Sequence, residues 1–258
     1  MAFQGDPWPK RAVQAVLRPL GYKLVQLKAY EARTGQVRSA NTGQAKVFCI
    51  GFNKTATTTV EAVLRAAGLR MPKQLDQEQL LAAVPDTGDY ALLKAFCDDY
   101  DAFQDLPFSQ GDLYLACDVL YPDARFVLTT RDPDAWADSY IQFYTKELGL
   151  DASQPLTEDS VAGKSLYLQP GYIHAVWRRL LVEEQAGQPV IRWDLALDRD
   201  FLIDRYQSRN AAIRAHFRDR PQSLLELDLA TEPDTGRLLQ FLGITDMAPG
   251  PYPRTNAR

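Results

Sequence analysis

The chain has 258 residues, 46% hydrophobic and 24% charged, an ordinary globular composition with enough length to bury one sizeable core. Its 29 Lys and Arg against 33 Asp and Glu give a formal charge of −4, which argues against a globally basic nucleic-acid surface and leaves room for a local anion pocket. Cys49, Cys97 and Cys117 form no CxxC or Cys/His pattern, so reduced core thiols are expected and a metal site is not.

The N-terminus is broken by charges and prolines, unlike a secretory signal, and no apolar run is long enough to span a bilayer. A cytoplasmic protein without a transmembrane segment is expected. Residues 10–19 (KRAVQAVLRP) have apolar residues at helical spacing, which predicts a short amphipathic helix stopped near Pro19 and Gly21. Polar, Gly-containing residues 31–45 predict a linker, so 1–45 reads as helix and linker ahead of an α/β domain over 46–258.

VFCIG (47–51) predicts a buried strand, FNKTATT a turn, and 58–68 a helix with Thr58 and Glu61 as its capping box. AFQD (102–105) predicts a short strand ending at Asp105, and 111–120 a helix. FVLTT (126–130) predicts a strand, RDP a turn, and 134–147 a helix. Residues 145–175 predict a long excursion outside the sheet, placed to cover an acceptor site. Helices are predicted at 171–186, 199–218 and 234–242, with a strand at 223–229. DDYD (98–101) reads as a solvated acidic turn and 192–205 as a mixed-charge helical face. Strands alternating with helices predict a three-layer α/β fold with a mainly parallel sheet, in which ligands sit at the carboxyl ends of strands. Asn53 to Thr59, Asp105 and Arg131 fall at such ends.

The loop from Gly51 to Thr59 is suited to a phosphate or sulfate. A helix start offers unpaired N–H groups and partial positive charge, Lys54 adds a full charge, and the threonines add hydroxyl donors. It is not the GxxxxGK[ST] loop of magnesium–ATP enzymes, because no Gly-Lys-Ser/Thr occurs in the chain. Arg131 follows a strand directly, and Ser139 stands eight residues later on the next helix. The two converge on one phosphate only if the turn between them folds back.

FNKTATTT resembles the 5′-phosphosulfate loop of sulfotransferases that use 3′-phosphoadenosine 5′-phosphosulfate (PAPS), commonly PKSGTT. ARFVLTTRDPDAWADSY resembles their 3′-phosphate motif, Arg followed eight residues later by Ser. YDAFQDLPFS, the segment LLELDLATEPDTGRLLQFLGI and the terminal PYPRTN are similar to the bacterial and fungal branch. The resemblance implies a nucleotide-kinase-like (P-loop) fold that binds PAPS, releases adenosine 3′,5′-bisphosphate, and moves the sulfuryl group to an acceptor hydroxyl, or less readily an amine, by in-line displacement. It implies that Lys54, Thr55, Ala56, Thr57, Thr58 and Thr59 hold the 5′ end and that Arg131 and Ser139 hold the 3′-phosphate. Asp105-Leu106-Pro107 stands where the family often has a His-Leu-Pro-like segment, so Asp105 is the candidate base; Asp98, Asp99 and Asp101 are its neighbours.

Two departures stand out. Ala56 replaces the usual loop Gly, which matters if that position needs positive φ. The aromatic that often follows the loop is absent, so no residue is assigned to adenine. Two rival readings are an ATP-dependent phosphotransferase on the same fold and a non-catalytic nucleotide-binding protein. The acceptor class is open among small molecule, carbohydrate, lipid and peptide, and oligomeric state is unread. His174 and His216 lie on no motif and read as ordinary packed or surface histidines, with His174 on the substrate side. Trp136, Trp177, Trp193 and Tyr172 read as core or pocket wall.

Overall fold

The computed structural model describes residues 45–253 apart from 152 and 165. The predicted helix at 10–19, nearly all of the linker at 31–45 and the end of PYPRTN lie outside the described residues. In chain order the elements are β1 (Val47–Cys49), α1 (Thr57–Ala66), α2 (Gln74–Thr87), α3 (Tyr90–Asp98), β2 (Ala102–Gln104), α4 (Leu113–Leu120), β3 (Arg125–Thr130), α5 (Pro133–Leu148), α6 (Glu158–Val161), α7 (Tyr172–Leu180), β4 (Val182–Gln185), β5 (Gln188–Ile191), a 3₁₀ turn (Trp193–Leu195), α8 (Arg199–His216), β6 (Leu224–Asp228) and α9 (Gly236–Leu242).

Four strands form one parallel sheet in the order β2-β1-β3-β6. Alternate strand residues face opposite sides. Phe48, Phe103, Phe126 and Leu128 meet Leu80, Leu93, Cys117, Ile213 and Phe217 from the helices on one side. Val47, Cys49, Val127, Leu225 and Leu227 meet Val60 and Leu64 of α1 and Leu238 and Leu239 of α9 on the other. This is the three-layer, nucleotide-kinase-like α/β fold. A third apolar cluster lies outside the sheet, where Phe52, Trp136, Tyr140 and Tyr144 pack against Val176 and Trp177 of α7 and Leu202 and Tyr206 of α8. It fixes α5 and α7 beside the carboxyl ends of the strands. Cys49, Cys97 and Cys117 are unpaired and buried, and burial pushes the Cys49 thiol up to about 12.

β1 and β3 approach each other closely just beyond β1. A Cβ on Gly51 would lie 2.1 Å from the Thr129 hydroxyl oxygen and 2.4 Å from its carbonyl oxygen, so only glycine fits where the chain leaves the sheet.

The structure corrects four local expectations. The helix predicted over 171–186 stops at Leu180, and the chain turns into the antiparallel hairpin β4–β5. Ala186 and Gly187 form its two-residue loop at φ 51 and 76, the left-handed pair that suits the twist of a tight hairpin. The stretch at 192–205 is split, because the Asp198 side chain accepts the Phe201 N–H and starts α8 there. The acidic turn is not all solvated: Asp101 is buried, taking the Arg70 N–H at 2.9 Å and its Nε at 3.1 Å. The capping box at Thr58 and Glu61 does not form. Glu61 pairs instead with Arg65 at 3.0 Å, and α1 begins at Thr57 with no side-chain cap.

Candidate active site

The anion loop is held from below and from the side. Thr55 is buried; its hydroxyl donates to the Phe52 carbonyl and shares a hydrogen bond of 2.6 Å with the Thr129 hydroxyl. Asn53 donates its amide to the Tyr144 hydroxyl at 2.8 Å, and its carbonyl accepts the Trp136 indole N–H at 2.9 Å. Both aromatics belong to α5, so the loop is fastened to that helix. Lys54 and Ala56 adopt left-handed backbone, φ 71 and 67. The Ala56 carbonyl takes the N–H groups of Thr59 and Val60. Those of Thr57 and Thr58 have no partner among the described residues, as expected for an uncapped helix start. They sit at the mouth of a cleft with the positive end of α1 behind them.

The Ala56 geometry answers the question its identity raised. The position does use positive φ, where a Cβ costs about 1–2 kcal/mol. Ala56→Gly is expected to stabilise the protein by about 0.5–1 kcal/mol after the extra entropy of glycine in the unfolded chain is deducted. A thermal melt should show the midpoint rising by about 1–4 °C.

Asp105 closes β2 in left-handed backbone, φ 59, a conformation Asp tolerates better than most residues. Its carboxylate accepts the Ser109 hydroxyl at 3.1 Å and, at a long 3.4 Å, the hydroxyl of Thr57, the first residue of α1. The strand-end Asp and the anion loop therefore share a boundary. Burial raises the carboxyl to about 6, against the lowering effect of hydrogen bonds from Ser109, the Leu106 N–H and Thr57. Such a group is ionised at neutral pH yet basic enough to take a proton.

The cleft that joins these groups has a volume of about 510 Å³. Lys54, Ala56, Thr57, Thr58, Asp105 and Ser139 all line it. Lys54 Nζ lies 4.1 Å from the centre of the Phe143 ring, a cation–π contact against the α5 wall. Leu166, Tyr167 and Tyr172 contribute a roof, so the excursion after α5 does cover the cleft. The roof is tied to the far wall by Glu78 of α2, which accepts the Gln169 N–H at 2.6 Å.

Arg131 stands apart from this group. It is exposed at the end of β3 and lines a separate recess of about 460 Å³ with Tyr206, Gln207, Asn210, Arg214 and Glu226. Ser139 lines the cleft and Arg131 lines the recess; the two do not line one pocket. The Tyr206 hydroxyl accepts the Arg131 N–H at 2.9 Å and donates to its carbonyl at 3.0 Å, pinning the turn. Asp132 caps α5 and Asp134 pairs with Arg199, and neither forms an ion pair with Arg131 among the described residues. Thr55 and Thr59 do not line the cleft.

Neither histidine reaches it. His174 bonds Glu158 at 2.7 Å and stacks on Trp193, and His216 bonds Asp118 at 2.8 Å. Trp136, Trp177 and Trp193 are buried core, and Tyr172 is cleft wall. Arg209 carries no motif yet bridges the site. Its guanidinium donates to the carbonyls of Ile50 at 2.8 Å and Phe108 at 3.4 Å, joining the end of β1 to the segment after Asp105. Among the described residues no helix is long and apolar enough to cross a membrane, and no group of three or more His, Cys, Asp or Glu could hold a metal ion.

An uncapped helix start, with Lys54 and Asp105 on the same cleft at the carboxyl edge of a parallel sheet, suits an anionic ligand. Residues 46–258 match the family model for the sulfotransferase domain, and the chain belongs to that family. It is a transferase of sulfuryl groups. No curated protein matches the chain.

Proposed function

We propose that the protein moves the sulfuryl group of PAPS to an acceptor hydroxyl. The observation that carries this reading is the shared cleft: the uncapped start of α1 with Lys54 on one side, Asp105 on the other, and Thr57 between them. The N–H groups of Thr57 and Thr58 and the Lys54 ammonium hold the 5′-phosphosulfate. Asp105 takes the proton from the acceptor hydroxyl. As the acceptor oxygen bonds to sulfur, the bond from sulfur to the phosphate oxygen breaks, and its electron pair stays on the departing adenosine 3′,5′-bisphosphate. Lys54 stabilises that charge, greatest in the transition state. The family resemblance assigns Ser139 and Arg131 to the 3′-phosphate, which requires the Arg131 side chain to swing from its recess to the cleft that Ser139 lines. The buried, unpaired thiols support a reducing, cytoplasmic setting.

Calorimetry with adenosine 3′,5′-bisphosphate, against ATP with magnesium, tests the donor class. The bisphosphate is expected to bind the wild type at least tenfold tighter, and Arg131→Ala to weaken it by about 10–100-fold, the loss of a charge-assisted contact to phosphate. Preference for magnesium–ATP would replace the reading with phosphoryl transfer. Tight bisphosphate binding with no turnover on any acceptor would leave a binding protein.

A further inference from the structure

Asp105 is held asymmetrically. The Ser109 hydroxyl donates to Oδ1 at 3.1 Å, while the Thr57 hydroxyl stands at a long 3.4 Å from Oδ2. Thr57 lines the cleft and Ser109 does not. One carboxylate oxygen is therefore gripped from behind, and the other faces the cleft with a weaker contact. A donor already bonded to an oxygen of the ionised form makes that oxygen the poorer place for a proton, which leaves Oδ2 as the basic one.

The grip comes from a fixed backbone. Ser109 is 1% exposed, and its N–H bonds the Asp105 carbonyl at 3.0 Å. Phe108 beside it is buried against Phe48 and Phe103, with ring centroids 5.3 and 4.9 Å away. Arg209 Nε donates to the Gly111 carbonyl at 3.1 Å on the other side. Among the described residues the Ser109 side chain bonds Asp105 alone. Alanine at this position keeps the N–H bond that closes the turn and removes only the hydroxyl, so the two roles can be separated.

We infer that Ser109 is a positioning residue for sulfuryl transfer, whose hydroxyl fixes Oδ1 of Asp105 so that Oδ2 takes the proton of the acceptor. This rests on the reading of the cleft as a PAPS-dependent site with Asp105 as base. The acceptor O–H bond breaks, its proton bonds to Oδ2, and the acceptor oxygen bonds to sulfur. The bond from sulfur to the phosphate oxygen breaks, and its electron pair leaves on the bisphosphate. Ser109 exchanges no proton in this step.

Other groups act on Asp105 from every side. Cys49 of β1, Glu61 of α1, Tyr144 of α5, and Tyr167 and Tyr172 of the roof interact with it electrostatically. Lys54, Glu78 and Lys146 line the same cleft. Burial pushes the Cys49 thiol up to about 12 and the three tyrosine hydroxyls well above their ordinary value of 10, so none of those four titrates near 6. Because Ser109 bonds Asp105 alone, a titration that moves when its hydroxyl is removed belongs to Asp105.

The test is the titration of the Asp105 carboxyl carbon by carbon-13 NMR, assigned by its absence from Asp105→Asn, in wild type and in Ser109→Ala. The wild-type midpoint is expected at about 6. That of the variant is expected about one pH unit higher, the scale of one charge-assisted hydrogen bond lost from the ionised form. Hydrolysis of PAPS, with water standing in for the acceptor hydroxyl, is followed over the same pH range, and bisphosphate affinity is measured on both proteins. The acid limb of hydrolysis is expected at the NMR midpoint of each protein. At pH 8.5 the variant is expected to show a kcat about tenfold lower, from lost orientation, with bisphosphate affinity unchanged. A serine that only closes the turn would lower the melting temperature and leave midpoint and limb in place. An unmoved midpoint, a limb that does not follow it, a wild-type kcat in the variant at pH 8.5, or hydrolysis no faster than without enzyme overturns the inference; with bisphosphate still bound, the donor reading stands. If the wild type binds no bisphosphate, the donor reading itself fails and the inference falls with it.

Discussion

Lys54→Ala should lower kcat by about 10²–10³-fold, the scale set by removing one preorganised donor from a developing oxyanion. The bisphosphate affinity should weaken far less, because the N–H groups of Thr57 and Thr58 remain and the charge on the leaving oxygen is greatest in the transition state. The geometry makes the lysine hard to replace. Its backbone sits at φ 71 and its ammonium rests over the Phe143 ring, so the charge is delivered to one place from one side. Lys54→Arg should not restore turnover, since a planar guanidinium is a poor substitute for a compact point charge at that depth. Lys54→Gly separates chemistry from folding. It relieves the left-handed strain and should raise the thermal midpoint while turnover stays as low as in the alanine variant. A lysine that served only to pack the loop would give the opposite pattern, with stability lost and kcat kept.

The parts of this site that can be read in sequence are those built from local chemistry. Buried parallel strands are short apolar runs, so VFC and RFVLTT declare themselves, and the residues that follow them fall at the sheet's carboxyl edge. Lys54 and Asp105 fall there, while the role of Asp105 as base and the choice of Ser139 rest on the family resemblance. Local patterns also mislead where the helix starts elsewhere. Thr58 and Glu61 have capping-box spacing, but α1 starts at Thr57 with Ala56 as its N-cap, so Thr58 lies inside the helix and Glu61 pairs with Arg65 one turn on. The helix start is thereby left open for a ligand. α2 and α3 carry no sequence prediction at all; Pro85 stands in the last turn of α2, and Gly88 at φ 65 closes it. Arg209 belongs to a strongly charged helix and looks like a surface residue, yet it joins the end of β1 to the segment after Asp105 through backbone carbonyls that no side-chain pattern encodes. The placement of Arg131 and Ser139 in separate hollows is likewise a property of the β3–α5 turn, pinned by Tyr206, and not of their spacing.

Asp105→Asn should cut kcat/KM by about 10²–10⁴-fold, the usual worth of a positioned general base. The wild-type profile of kcat/KM should fall as pH drops through about 6, where the carboxyl takes its own proton and can no longer accept one. The residual rate of Asp105→Asn should show no such limb. The same titration makes an opposite prediction for stability. Asp105 has a carboxyl near 6 in the fold, above its ordinary value of 3.8, so the fold favours the protonated form. Its contribution to stability is fully present below about pH 4 and is lost as pH rises through 6, above which a buried charge opposes folding. An amide is neutral at every pH; its oxygen can keep the Ser109 hydroxyl, while its NH2 takes the place of the oxygen facing Thr57 and can donate to that hydroxyl instead. Asp105→Asn should therefore be more stable than wild type at pH 8, by about 1–3 kcal/mol, with the gap closing below pH 4. Denaturant unfolding at both pH values measures it. A variant that loses activity and stability together at pH 8 would mean that the carboxylate holds the turn at Leu106 and not a proton from the acceptor. Loss of turnover with a gain in stability at pH 8 is the pattern of a charge buried for chemistry, because a group kept only for structure has no reason to be ionised where ionisation weakens the fold.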